Sequence, residues 1–153
     1  MNDAFQPRVD ALGQRHLMGV EASVLMENVV LRRRYLMSVE TLSNEEVHAL
    51  TDSKNTDVAA TASRWSRAGK IFTVKSCRAV RVPIFQLAGG RPRPEIARVL
   101  AALPECQRSG WPAGFWFASP HGFLGCSAME ALEDPARVDE VVAAAERTGC
   151  TTG

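Results

Sequence analysis

The feature that most constrains the fold is a change of hydrophobic pattern at Gly69. Before it, apolar residues recur at helical spacing, whereas residues 70–75 carry the β-branched and aromatic side chains typical of a strand. Helical spacing returns after Pro94. This order predicts a mainly α protein with a small β-hairpin, in which a helix-turn-helix with a wing-like ribbon precedes a compact helical C-terminal domain.

Two short helices are predicted immediately before this change. Ser43 and Glu46 have the spacing of a capping box, in which each side chain caps the other residue's amide, and they predict a helix over 45–51. A polar turn follows, and Asn55 or Thr56 begins a second helix that ends at the pattern change. Two such helices joined by a tight polar turn form a helix-turn-helix unit.

The second helix has the composition of a DNA recognition helix. Val58, Ala62 and Trp65 are spaced to face the core, which places Thr61 and Arg64 on the outer face. Hydroxyl groups and arginines on that face suit a helix that lies in the major groove of DNA.

The residues after this helix predict a two-stranded wing. A strand over 70–75 is followed by a turn at 76–79 and a return strand over 80–85, in which Pro83 favours an edge position. Basic residues near the tip of such a wing can reach DNA phosphates. The residues predicted to contact DNA are Thr56, Thr61, Ser63, Arg64, Arg67, Lys70, Lys75, Arg78 and Arg81.

A net charge of +1 conceals an uneven distribution along the 153 residues. Residues 41–93 contain nine basic and four acidic side chains, whereas residues 94–153 contain four basic and eight acidic ones. No acidic residue occurs between Asp57 and Glu95. This separation favours two surfaces with different partners, because a basic surface attracts polyanions and an acidic surface repels them.

A turn-rich segment over 87–92 predicts a domain boundary. We expect an N-terminal arm and helix over 1–40, the winged helix-turn-helix-like region over 41–90, and a helical partner-binding domain over 91–150. Within the first, helical spacing of apolar residues predicts a helix over 15–35. A homodimer contact explains its apolar surface, and packing on its own domain is the alternative.

Three further helices are predicted in the C-terminal domain, over 95–103, 127–132 and 138–147. Pro94 is suited to the first helical position of the first of these.

Several classes of protein have no support in the sequence. It contains no run of 18 apolar residues and no apolar signal-peptide core, so we expect a cytoplasmic protein that contacts no membrane. Consecutive cysteines lie 20 to 29 residues apart, which argues against a zinc or redox motif, and the lack of an export signal predicts that all four are reduced thiols. No glycine-rich nucleotide loop occurs, and we expect neither a cofactor nor a metal.

One pair of side chains offers a route to catalysis. His121 lies in a loop over 119–125 and Cys126 follows it, and a histidine can activate a cysteine thiolate. A loop histidine near a structural cysteine has the same sequence pattern. We expect that the protein is not an enzyme, with a small thiol enzyme as an alternative.

Two regions resemble known bacterial families. Residues 50–74 and 83–87 look like DNA-binding proteins with a helix-turn-helix and a wing. The last third resembles the toxin-binding domain of the Xre/MbcA/ParS-like antitoxins, which are partners of RES-domain toxins. The matching stretches are 110–111, 115–120, 124–125, 131–132 and 134–135.

The resemblance implies an antitoxin-like regulatory protein that binds operator double-stranded DNA as a homodimer through residues 56–81. Its C-terminal domain would hold a RES-type toxin without catalysing a reaction. The residues implied to bind this partner are Trp111, Trp116, Phe117, Pro120, Leu124 and Gly125. The alternative is a protein-interaction module whose helix-turn-helix is only a scaffold, since a fold does not fix a function.

Overall fold

The computed structural model describes residues 28–51, 54 and 56–149. The chain divides after Met37 into two compact units. Residues 28–38 form helix α1, which extends three residues beyond the predicted end at residue 35. The predicted arm and the earlier part of the predicted helix lie outside the described residues.

The second unit begins with a short strand and two helices. Strand β1 (Thr41–Leu42) leads into α2 (Asn44–Thr51), and α3 (Ala60–Arg67) follows. The capping box is confirmed: the Ser43 amide donates to Glu46 Oε1 at 3.1 Å, and the Glu46 amide is 3.2 Å from Ser43 Oγ. Two reciprocal bonds satisfy amides that a helix start otherwise leaves unpaired.

Helix α3 begins later than the sequence predicted, at Ala60. Asp57 forms the entry instead of Thr56, because its Oδ1 accepts from the Ala59 amide at 3.0 Å and its carbonyl accepts from the Ala60 amide at 3.2 Å. The prediction that Val58 faces the core is therefore wrong, and this side chain is exposed. A helix shortened at its start by one turn presents a different set of residues at its first positions.

The predicted hairpin is present, with shorter strands. Strands β2 (Val74–Ser76) and β3 (Ala79–Pro83) pair antiparallel through a two-residue turn, Cys77-Arg78. Both turn residues have positive φ values, 49° and 68°, which is the geometry that matches strand twist in a tight hairpin.

Strand β3 occupies the centre of a three-stranded sheet of order β1-β3-β2, so the predicted edge position of Pro83 is wrong. Pro83 pairs with Thr41 of β1, whereas pairing with β2 reaches only Arg81. Pro83 therefore has a paired strand on one side only, which is the condition under which a proline is tolerated in a sheet.

The helices and the sheet share a core. Val47, Ala62, Trp65, Ile71 and Val82 form its buried cluster. These residues come from α2, α3, β3 and the segment before β2, so these elements pack around one apolar centre.

Residues 87–92 form a small hairpin of β4 (Leu87–Ala88) and β5 (Arg91–Pro92). This segment lies inside the second compact unit, residues 38–153, and not at a division between units. Aromatic contacts connect the two sides of it, since the Phe72 and Phe117 rings stack with centroids 5.4 Å apart.

The C-terminal part is helical, as predicted. Its helices are α4 (Pro94–Ala102), α5 (Gly110–Ala118), α6 (Ala128–Ala131) and α7 (Val138–Glu146). Pro94 lies at the start of α4, as predicted. The sequence pattern did not predict α5 or the short ladder between β6 (Pro120–His121) and β7 (Cys126–Ser127). Helices predominate and the sheets are small and antiparallel, so the coarse fold class is confirmed.

Candidate nucleic-acid interface

The eight basic residues between Asp57 and Glu95 have two different roles in the structure. Arg81 and Arg93 are half-buried and hydrogen-bonded. The remaining six are exposed: Arg64, Arg67, Lys70, Lys75, Arg78 and Arg91. Because no acidic residue occurs in this stretch, the exposed surface that it contributes carries positive charge alone.

On α3, the structure brings Ser63, Arg64 and Arg67 to the surface. Thr61 was predicted to lie beside them, and this is wrong, because its side chain is only 2% exposed. With the helix beginning at Ala60, Thr61 joins Ala62 and Trp65 on the buried face.

The β2–β3 hairpin presents two of its three predicted contact residues. Lys75 is exposed on β2, and Arg78 is exposed in the turn itself. Arg81 was predicted near the tip, and this is wrong, because it pairs with Val74 at the base. Its Nε donates to Thr41 Oγ1 at 3.0 Å and Nη2 donates to the Thr41 carbonyl at 3.3 Å, so the guanidinium holds β1.

Two predicted residues flank α3. Thr56 is exposed before the helix, and Lys70 is exposed after it. Lys70 also lines a cleft of about 670 Å³ together with Arg91, which the DNA-contact prediction did not include. In the sequence, Arg91 could have been identified by its position between Asp57 and Glu95, where no acidic residue occurs.

The capping box also has an electrostatic role. Hydrogen bonding to the Ser43 amide, and then to its side chain, lowers the pKa of Glu46, and the positive charge of Arg81 lowers it further. The carboxylate at the start of α2 therefore stays ionised to lower pH than an unperturbed glutamate, and it complements the helix dipole there.

Most residues predicted to bind a protein partner are part of the core. Trp111, Trp116, Phe117 and Leu124 are buried. The indole of Trp111 donates to the Lys75 carbonyl at 3.0 Å, and that of Trp116 donates to Thr148 Oγ1 at 2.9 Å. Side chains committed in this way position the surrounding loops and offer no surface to a partner.

The β6–β7 turn is the exposed part of this region. Pro120 and Gly125 are exposed, as a partner-binding role requires. Phe123, which sequence reasoning missed, is 50% exposed, and the Arg147 guanidinium lies 4.3 Å from its ring centroid. A large aromatic side chain within a loop of small residues was the available signal.

His121 and Cys126 face each other in the β6–β7 ladder. His121 Nε2 lies 2.8 Å from the Trp116 carbonyl, and the Cys126 sulfur accepts from Arg137 Nη1 at 3.4 Å. Each side chain therefore has its own structural partner, and no hydrogen bond joins the two among the described residues.

One prediction about the cysteines is wrong. Cys106 is disulfide-bonded, whereas Cys77 and Cys126 are free thiols. Long spacing along the sequence does not prevent two cysteines from meeting in space, which is the condition for a disulfide.

Within the described residues, no helix has the length and apolar character needed to cross a membrane. No group of three or more histidine, cysteine or acidic residues is arranged there to hold a metal ion.

No protein-family model matches the chain, and neither a curated protein nor a solved structure is significantly similar to it. The candidate function therefore has to be derived from the chain's own residues.

Proposed function

We propose that the protein is a DNA-binding regulator, in which α2 and α3 act as a helix-turn-helix and the β2–β3 hairpin acts as its wing. One observation carries the proposal: consecutive elements present exposed cations from a stretch of sequence that contains no acidic residue. The order strand, helix, helix, hairpin, with the first strand paired to the last, supports the same assignment.

In this proposal α3 enters the major groove. An α-helix with its side chains is about 10–12 Å across, which matches the width of that groove, about 12 Å. Arg64 and Arg67 would read guanine edges or contact phosphates, with Ser63 beside them on the exposed face. Lys75 and Arg78 on the hairpin would hold the adjacent phosphates.

Asp57 is the acidic residue closest to this surface in sequence, and its carboxylate already accepts a hydrogen bond. Its Oδ1 accepts from the Ala59 amide at 3.0 Å. An acidic group used as a cap repels phosphate less than one that projects freely, because its charge is partly offset by the amide dipole.

The test is a gel shift with the DNA directly upstream of the protein's own gene, at low salt. We expect a retarded band, and we expect Arg64→Ala to weaken binding about 10-fold and to reduce the preference over unrelated DNA. The matched control is Arg98→Ala, which removes an exposed arginine from α4, paired with Asp139 at 2.9 Å. No band with any DNA at low salt would reject the proposal.

A second candidate function is supported by the β6–β7 turn. We propose that this turn binds a protein partner, which the resemblance to antitoxins suggests is a RES-type toxin. The half-exposed Phe123 would be the central apolar contact, flanked by Pro120 and Gly125.

This second function has its own test. Phe123→Ser should weaken binding of a RES-type toxin encoded beside the gene at least 10-fold, measured by calorimetry. Met37→Ser is the control, because Met37 is an exposed apolar residue elsewhere in the chain, with 81% of its surface accessible. Equal binding by the two variants would rule out this turn as the contact.

A further inference from the structure

The cleft beside α3 has the size and charge of a small-molecule site. Its volume of about 670 Å³ falls within the range of ligand pockets. Leu50, Trp65 and Ala97 supply apolar wall, and Lys70, Arg91 and Arg93 supply positive charge. No acidic side chain lines it within the described part of the chain.

The three cations differ in availability. Arg93 is already used: it forms an ion pair with Glu95 at 3.1 Å and donates to the Phe85 and Leu132 carbonyls at 3.0 and 2.6 Å. Lys70 and Arg91 are exposed, and their side chains form no hydrogen bond or ion pair with any described residue. Two positive charges at one cleft repel each other, and a doubly charged anion relieves that repulsion.

One side of the cleft is set by a close backbone contact between the β4–β5 turn and the end of α2. In the β4–β5 turn, Gly90 has a φ of 76°, and a Cβ at this position would lie 2.9 Å from the Leu50 carbonyl oxygen. The turn therefore approaches the end of α2 more closely than any other residue would permit. This contact fixes Arg91, the next residue, at the cleft.

We infer that the cleft binds a small phosphate ester with an apolar body, of the size of a mononucleotide. The phosphate would pair with Lys70 and Arg91, because a dianion matches two free cations where a single carboxylate would leave one unpaired. The body of the ligand would lie against Leu50 and Trp65. The inference can be tested apart from DNA binding, because Arg91 and Leu50 are not part of the proposed DNA surface, whereas Lys70 belongs to both.

The probe is adenosine 5′-monophosphate, titrated into the full chain at low salt and followed by calorimetry. Adenosine and inorganic phosphate are titrated separately. We expect the monophosphate to bind at least 10-fold more tightly than either, since each of them retains only one half of the proposed contacts. Absence of binding at about 10 mM, or equal binding of inorganic phosphate, would overturn the inference.

Variants locate the binding. Lys70→Gln and Arg91→Gln should each weaken monophosphate binding about 10-fold, and Leu50→Glu should abolish it by placing an acid in the apolar wall. Arg98→Gln removes an exposed charge outside the cleft and should change nothing. Melting temperatures of all four variants show whether they fold, and unchanged affinity in folded Lys70→Gln and Arg91→Gln would overturn the site.

A DNA phosphate carries similar chemistry, and one further measurement separates the two sources. In the gel shift described above, Arg91→Gln should leave DNA affinity unchanged if the cleft takes a free phosphate ester. A parallel loss of DNA affinity and monophosphate affinity would assign the cleft to the DNA backbone, and would overturn the inference of a small-molecule site.

Discussion

At the scale of single residues, Gln86 shows how one buried amide can hold two segments together. It has no exposed surface, its Oε1 accepts from the Phe72 amide at 2.8 Å, and its Nε2 donates to the Phe72 carbonyl at 2.9 Å. Gln86→Leu should lower the free energy of unfolding by about 2 to 4 kcal/mol, because both backbone groups of Phe72 lose their partner. Urea denaturation measures this, with Gln107→Leu, at a partly exposed position, as the control. An equal effect of the two substitutions would contradict the role of Gln86.

Gly89 and Gly90 are adjacent glycines of the β4–β5 turn, and comparing substitutions at the two separates backbone strain from steric contact. Both have positive φ, 59° and 76°, but only Gly90 has a close neighbour, the Leu50 carbonyl oxygen. Gly89→Ala should cost about 1 kcal/mol from backbone strain alone, whereas Gly90→Ala should cost at least about 2 kcal/mol, since it adds a steric contact. Thermal denaturation of the two variants compares them. Equal costs would mean that the turn moves away from α2 without penalty.

At the scale of elements, the capping box at the start of α2 should make the stability of the protein depend on pH. The pKa of Glu46 is lowered in the folded state, so its ionised form contributes stability above the unfolded pKa of about 4.5, and this contribution is lost as pH falls through the folded value. Glu46→Ala should therefore destabilise the protein at pH 7 and lose its effect in strong acid. Urea denaturation across this range tests it. Glu45→Ala, in the same helical turn but outside the capping box, is the control.

Local elements could be predicted from the sequence, whereas the exposure of individual residues within them could not. The capping box at Ser43, the turn at 76–79 and the helix over 138–147 are signals contained within a few residues, and the structure has each of them. Thr61 and Arg81 were placed wrongly, because their exposure depends on where a helix starts and on which strand lies alongside. Pairing across 40 residues leaves no mark in a short window.

The exposure of the aromatic residues in the candidate partner site could not be predicted for a related reason. Trp116 and Phe117 belong to a helix, α5, whose burial on several sides removes the one-sided pattern that identifies an amphipathic helix. Phe123 lies in the turn that connects β6 and β7, and it is exposed because this turn extends beyond the two paired strands and away from the core. Only the tertiary arrangement separates the aromatic residues that stabilise the fold from the one that remains at its surface.

At the scale of the whole molecule, the proposed binding to DNA should depend on salt, because it would use the basic surface of residues 41–93 and not the acidic residues of 94–153. Each phosphate contact releases condensed counterions, so the logarithm of affinity should fall linearly with the logarithm of salt concentration, with a slope of about −0.9 for each contact. Lys75→Ala and Arg78→Ala should each make that slope shallower by about 1 and weaken binding evenly across DNA sequences, because they would hold phosphates. Fluorescence anisotropy with labelled duplexes at several salt concentrations measures both effects.

Asp139→Asn, which removes a negative charge from the acidic region, should leave the slope unchanged, because Asp139 makes no proposed contact. A slope that stays the same in the Lys75 and Arg78 variants would show that the hairpin does not hold DNA.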